Sequence, residues 1–149
     1  MTAPAVVEGV ALALAAAGVG DYATDRVLNP DMVPITVALS PDSDGPAITV
    51  TTYPGGPEPD SRNGWEYPRL QVRVRAEDPL AALDLDRACF DALQFTPDGP
   101  RPRWLPGDAW FLQDCHALQS EAQPLGQDAN GRSEYVRNYQ LAVEPAPPF

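Results

Sequence analysis

The sequence predicts a single α+β domain, in which a mixed, mainly antiparallel sheet of about five strands packs against two helices. Two segments repeat their apolar residues at three- and four-residue intervals, and one segment alternates apolar and polar residues strictly. The chain has 149 residues, of which 44% are hydrophobic and 21% charged, and these values are typical of one globular domain. Residues 1–149 are therefore interpreted as one domain without a linker.

The first predicted helix is alanine-rich and covers residues 2–17. Thr2 suits its N-cap, and Pro4 lies in the first turn, where the missing N–H is harmless. Gly18 and Gly20 are expected to end the helix. One helical stripe contains the residues Ala3, Val7, Val10, Leu14 and Ala17.

Two β-rich runs follow the first helix, at residues 35–40 and 47–53. The connecting residues 41–46 are rich in Pro, Asp, Ser and Gly, so an antiparallel pair is predicted. Residues 54–68 contain four prolines and three glycines, and they are predicted to form a long loop without regular structure.

The clearest strand pattern covers residues 69–75. Leu70, Val72 and Val74 occupy every second position, as expected for the buried face of a pleated strand. The opposite face is predicted to present the three arginines Arg69, Arg73 and Arg75.

A second helix is predicted from Asp78, its N-cap, through Pro79 at the first helical position to about Gln94. Its charged residues form one narrow stripe: Asp84, Arg87 and Asp91. The other positions are apolar and include Leu80, Leu83, Leu85, Cys89, Phe90 and Leu93. Such a helix is expected to be covered on several sides, by the sheet and by a neighbouring subunit.

The sequence pattern of the C-terminal part predicts a hairpin. After a Pro- and Gly-rich loop at residues 96–108, strands are expected at about 109–119 and 133–144, followed by a short tail at 145–149. The connection between these strands contains Asn130-Gly131, a dipeptide that suits positive φ at a turn.

The charge distribution excludes several classes of function. All 10 basic residues are arginines. Together with 21 acidic residues they give a net charge of -11. An overall basic surface for nucleic acid is therefore absent. The chain contains no lysine and no phosphate-binding glycine motif, so nucleotide binding is not predicted.

Catalysis has one candidate, the run Asp114-Cys115-His116. Successive strand residues point to opposite faces, so Cys115 and His116 would diverge. Two cysteines and one histidine also lack the spacing of a zinc site. No catalytic, cofactor-binding or metal-binding residue is predicted. Cys89 and Cys115 are expected to be small buried side chains, and whether they pair is left open. The carboxylates, including Asp84 and Asp86, are expected to be solvated.

The first apolar run, residues 6–19, is shorter than the roughly 20 residues of a membrane span and contains Glu8. No basic segment precedes this run, which argues against a secretory signal. The reducing cytoplasm is the expected compartment.

The remaining surface suits protein contact, because tryptophan and arginine are enriched among the residues that anchor interfaces. The predicted contact residues are Arg69, Arg73, Arg75, Arg132, Arg137, Trp65 and Trp104. The tryptophans have a second interpretation, which is that they fill gaps in a small core.

Four features in order resemble the tail terminator proteins, also called minor capsid or minor tail proteins, of long-tailed bacteriophages. They are the alanine-rich first helix, the strand segment 68–75, the helix that begins at Asp78-Pro79, and the segment 124–132 followed by Asn138-Tyr139. The resemblance covers nearly the whole chain. The chain departs from the family in its long Pro-rich loops, and the roles of these loops stay open.

The resemblance implies a structural protein without catalysis or cofactor. It implies a homo-hexameric ring at the head-proximal end of the tail, with the tail tube protein and the head completion or connector protein as partners. DNA would pass through the lumen without specific binding, and no membrane is involved. The expected location is the virion neck, with the host cytoplasm during assembly. The alternatives are a stopper-type head-to-tail connector and a small ligand-binding or hydrolytic domain.

Overall fold

A computed structural model describes residues 5–39, 41 and 45–147 of the chain. It contains two helices, α1 (Val6–Ala16) and α2 (Pro79–Leu93). The strands are β1 (Ile35–Val37), β2 (Ala47–Tyr53), β3 (Arg69–Ala76), β4 (Arg103–Trp104), β5 (Trp110–Ala117), β6 (Gln123–Gln127) and β7 (Ser133–Pro145).

All these strands form one sheet in the order β1-β2-β3-β7-β5-β4, and β6 pairs with the first part of β7. Only the β1–β2 pair is parallel among the strand pairs of the described residues. The predicted fold class, a mixed and mainly antiparallel sheet with two helices, is therefore confirmed. The hairpin predicted in the C-terminal part is also present, with β5 and β6 in one arm and β7 in the other.

Across the described residues the sheet has seven strands, two more than the sequence predicts. The additional strands β4 and β6 lie within the segments 96–108 and 120–132, which were predicted to be loop and turn. β6 has the sequence Gln-Pro-Leu-Gly-Gln, which neither alternates nor favours a strand. It becomes a strand because the long neighbouring β7 supplies backbone partners.

The direction of β1 differs from the prediction. The β1–β2 pair was expected to be antiparallel, but it is parallel, with Ile35 opposite Ile48. The chain turns at Ala38, whose φ is 72°, and the Leu39 N–H donates to the Val37 carbonyl at 2.9 Å. Because β1 is only three residues long, the short segment 38–46 can return the chain to the same end of the sheet. The predicted turn residues 42–44 lie outside the described residues.

The hydrophobic core lies between the helices and one face of the sheet. α1 contacts β1 and β2, while α2 contacts β3, β5 and β7. The strand pattern predicted for residues 69–75 is confirmed, since Leu70, Val72 and Val74 are all at most 1% exposed. The core includes Val10, Leu14, Ile48, Val50, Leu70, Val72, Val74, Cys89, Leu93, Leu112, Tyr139, Leu141 and Val143.

The helix ends follow from local chemistry. Gly18 has a φ of 81° and donates its N–H to the Ala15 carbonyl, and the Val19 N–H bonds the Leu14 carbonyl, which together make a Schellman motif. The predicted end of α1 is thus confirmed, while Thr2, Ala3 and Pro4 lie outside the described residues. At α2, the Asp78 carboxylate accepts the Ala81 N–H at 2.9 Å, as predicted for its N-cap.

The segment after α1 is anchored by the carboxylate of Asp21. Arg26 donates two hydrogen bonds to it, at 2.7 and 2.9 Å, and the Asn29 N–H donates a third at 2.8 Å. The Arg26 guanidinium, followed by the Asn29 N–H, holds the pKa of Asp21 well below its usual range.

This depressed pKa predicts an acid-sensitive contribution to stability. An unfolded Asp titrates near pH 3.9, so the contribution of Asp21 is present above about pH 4 and is lost as the pH falls toward its folded pKa. We expect Asp21→Asn to be less stable than the wild type at pH 7, with a smaller loss of unfolding free energy between about pH 5 and pH 2. Urea unfolding across this range measures both effects.

The matched control is Asp25→Asn, which removes a neighbouring exposed carboxylate. This variant is expected to keep the wild-type pH profile. A wild-type profile in Asp21→Asn as well would show that the Arg26 contact does not stabilise the fold.

Candidate subunit interface

The face of the sheet that points away from the helices is polar. Its outward-pointing residues on the three central strands alternate with the core residues and define the outer sheet face. On β2, β3 and β7 they are Ala47, Thr49, Thr51, Tyr53, Arg69, Gln71, Arg73, Arg75, Glu134, Val136, Asn138 and Gln140. No helix covers this face within the described residues.

Within the described part of the chain, two arginines of the outer sheet face lack an acidic partner. Arg69 donates from Nε to Oε1 of Gln140 at 3.1 Å, and this oxygen carries no formal charge. Arg73 is half-buried at a position flanked by Thr49 and Val136. Among the residues that the structure describes, neither arginine forms an ion pair. Their positive charges therefore remain available to a partner.

Arg75 and Arg132 are bound within their own chain. Arg75 is 5% exposed and donates to the carbonyls of Gly45 at 3.3 Å and Pro41 at 3.0 Å. Arg132 pairs with Asp128 at 2.7 Å inside the β6–β7 turn, where Gly131 has the positive φ predicted for it. The backbone N–H of Arg132 also lowers the pKa of Asp128. A role of either arginine in a subunit contact stays a prediction.

Arg137 lies on the inner face of the sheet and is 5% exposed. Its Nη2 and Nε donate to the two carboxylate oxygens of Asp86 on α2, at 2.7 and 3.2 Å. The guanidinium also lies 4.6 Å from the centre of the Phe90 ring. Arg137 is thus held inside the domain, and its role in a subunit contact stays a prediction. The expectation that Asp86 is solvated was wrong, because this ion pair holds a carboxylate that is only 3% exposed.

The tryptophans predicted as contact residues lie at the surface to different degrees. Trp65 is half-buried in the segment 54–68, which has no strand or helix apart from an isolated bridge at Glu66. Trp104 is 46% exposed, and its ring packs edge-on against Phe111 with the centroids 5.3 Å apart. Their contribution to an interface stays a prediction.

The Cys115–His116 pair has the geometry that strand alternation predicts. Cys115 is fully buried, whereas His116 is exposed on the other face and lies 2.9 Å from Asp114 through Nδ1. Burial raises the pKa of the Cys89 and Cys115 thiols to about 12, so both are protonated at neutral pH. Both cysteines are unpaired, and their expected role as small buried side chains is confirmed. In the described part of the chain, no three His, Cys, Asp or Glu residues are grouped as metal ligands.

A groove at the N-terminus of α2 was not predicted. This acidic groove has a volume of about 460 Å³ and is lined by Val33, Pro46, Ala76, Glu77, Asp78, Ala81, Asp84 and Leu85. Leu80 and Leu83, on the same end of α2, are 75% and 36% exposed. Both leucines were predicted to lie on the covered part of the helix. Their exposure was missed because the spacing of apolar residues does not show which apolar side of the helix faces the sheet.

Comparison with known families identifies the chain. A family model described as bacteriophage tail terminator protein matches residues 13–145, which include every strand and all of α2. The chain belongs to this tail terminator family. The resemblance seen in the sequence is confirmed, and family membership places the chain among the components of the phage virion tail. None of the curated proteins gives a significant match.

The match to the terminator family includes all seven predicted contact residues and the acidic groove. The described helices of this terminator are too short or too polar to cross a membrane. The candidate surfaces for a subunit contact are the outer sheet face, with Arg69 and Arg73, and the acidic groove.

Proposed function

We propose that the chain stops growth of the tail tube by forming a ring of about six copies on the head-proximal end of the tube, and that this ring joins the tail to the head connector. The family match over residues 13–145 carries the proposal. The protein acts as a structural component and performs no catalysis.

The surfaces of the domain support a contact function. Among the described residues no helix covers the outer sheet face, which carries Arg69 and Arg73, while α2 exposes Leu80 beside the acidic groove. The side chains with catalytic potential are separated, because Cys115 is in the core and His116 is on the opposite face. This arrangement favours binding to other proteins over reaction with a small substrate.

The charge of the chain is compatible with a DNA-conducting ring. At physiological salt, exposed charges more than about 8 Å apart are largely screened, so copies with a net charge of -11 can assemble through local ion pairs. An acidic lumen would let DNA pass without binding, since nonspecific phosphate binding depends on accumulated positive charge.

The proposal is tested with tail tubes polymerised from purified tube protein of the same phage. We expect added chain to bind one tube end and to stop further elongation, with rings visible by negative-stain electron microscopy. An unrelated acidic domain of similar size serves as the control. Elongation that continues at saturating chain would contradict the proposal. Binding to the head connector without binding to the tube would instead identify a stopper-type connector.

A further inference from the structure

The outer sheet face is locally basic at Arg69 and Arg73, although it also carries Glu134 opposite Arg75 and the chain as a whole is acidic. The net charge is -11, yet the cross-strand neighbours of Arg69 are Tyr53 and Gln140. Those of Arg73 are Thr49 and Val136, so no carboxylate lies directly beside either arginine in the sheet register. Because like-charged copies repel, an acidic surface of a second copy is attracted most where positive charge is locally exposed.

The acidic groove has the complementary character. Glu77, Asp78 and Asp84 are exposed at its rim, and among the described residues none of them forms an ion pair. Its floor is apolar, and Leu80 beside it is 75% exposed. An exposed leucine next to a concave apolar floor is a feature of contact surfaces, in which apolar burial adds to charge pairing.

The two surfaces lie on opposite layers of the domain. The groove is built around the start of α2, in the helix layer, while the arginines point away from that layer. A contact between two different surfaces of identical copies is heterologous, and its repetition closes into a ring when the rotation between copies allows it.

We propose that the acidic groove of one copy binds the outer sheet face of the next copy, with Arg69 and Arg73 facing Glu77 and Asp84. The proposal rests on the proposed ring and names its repeating interface. Duplex DNA is a weaker occupant of the same face, because two arginines on a chain of net charge -11 supply little of the positive charge that phosphate binding needs.

Charge reversal on each surface tests the interface with the full-length chain. The face variant is Arg69→Glu with Arg73→Glu, and the groove variant is Glu77→Arg with Asp84→Arg. In each variant alone, the two proposed surfaces have the same charge, so self-association is expected to weaken about tenfold or more. Mixed in equal amounts, the variants present opposite charges at every contact, and assembly is expected to return. Sedimentation velocity over a concentration series measures the self-association of each variant and of the mixture, both without and with added tube ends.

The matched control is Arg62→Glu with Arg101→Glu, at two exposed arginines elsewhere. Two such changes take the net charge from -11 to -15, the same value as in the face variant. The control is expected to assemble like the wild type. Thermal unfolding of each variant at low concentration shows whether the monomer is folded.

Several results would overturn the interface. Wild-type assembly by the face variant or by the groove variant would do so, as would a mixture of folded variants that fails to assemble. Duplex DNA binding that the face variant loses, with self-association unchanged, would assign the face to DNA. Tube capping with unchanged assembly of the variants would leave the proposed function intact. A wild type that is monomeric both in solution and on tube ends would contradict the ring as well.

Discussion

Replacing Asp86 with alanine is expected to destabilise the domain by about 3–5 kcal/mol, because the Arg137 guanidinium would stay buried without its partner. Both side chains are at most 5% exposed, and the pair connects α2 to β7. The net stability of a domain is about 5–15 kcal/mol, so the loss is a large share of the total. Urea unfolding of the monomer measures it.

A surface ion pair of the same helix provides the control. Arg87 and Asp91 are 3.1 Å apart and both more than half exposed, so Asp91→Ala is expected to cost at most about 0.5 kcal/mol. The combined Asp86→Leu and Arg137→Met variant removes both charges and is expected to recover most of the lost stability. If Asp86→Ala cost less than about 1 kcal/mol, the pair would not be a buried ion pair in solution.

Replacing Leu105 with alanine is expected to cost about 2–5 kcal/mol, although this residue belongs to a Pro-rich loop. Leu105 is 1% exposed and packs on α1, where a Cβ atom at position 9 would lie 3.1 Å from its Cδ1 atom. Gly9 therefore makes room for Leu105, which docks the segment 96–108 on the core. Unfolding in urea measures the loss of free energy.

Leu125→Ala is the matched control for this cavity. Leu125 is 46% exposed on β6, so its truncation is expected to change the unfolding free energy by no more than about 0.5 kcal/mol. Equal effects of the two truncations would mean that the Leu105 side chain does not dock on α1 in solution.

The Pro-rich segments show where sequence reasoning stops. Proline and glycine correctly predict that residues 54–68 lack a regular element. The same composition hides β4 and the buried Leu105 in the segment 96–108, because both depend on contacts with residues distant in the chain. The site residues divide in the same way. Arg69 and Arg73 point outward as the alternation predicts, while Arg75 and Arg137 are buried by partners that no spacing in the sequence reveals.

The sequence alone determined the features that depend on neighbouring residues. These are the alternation in β3, the Asp78 cap of α2, the glycine end of α1 and the turn at Gly131, each set by backbone preferences within a few residues. The tertiary structure alone decided the parallel direction of β1, the strand β6, the Asp86–Arg137 pair and the acidic groove. Each of these joins segments far apart in the chain, so its free energy depends on packing and desolvation that local patterns do not encode.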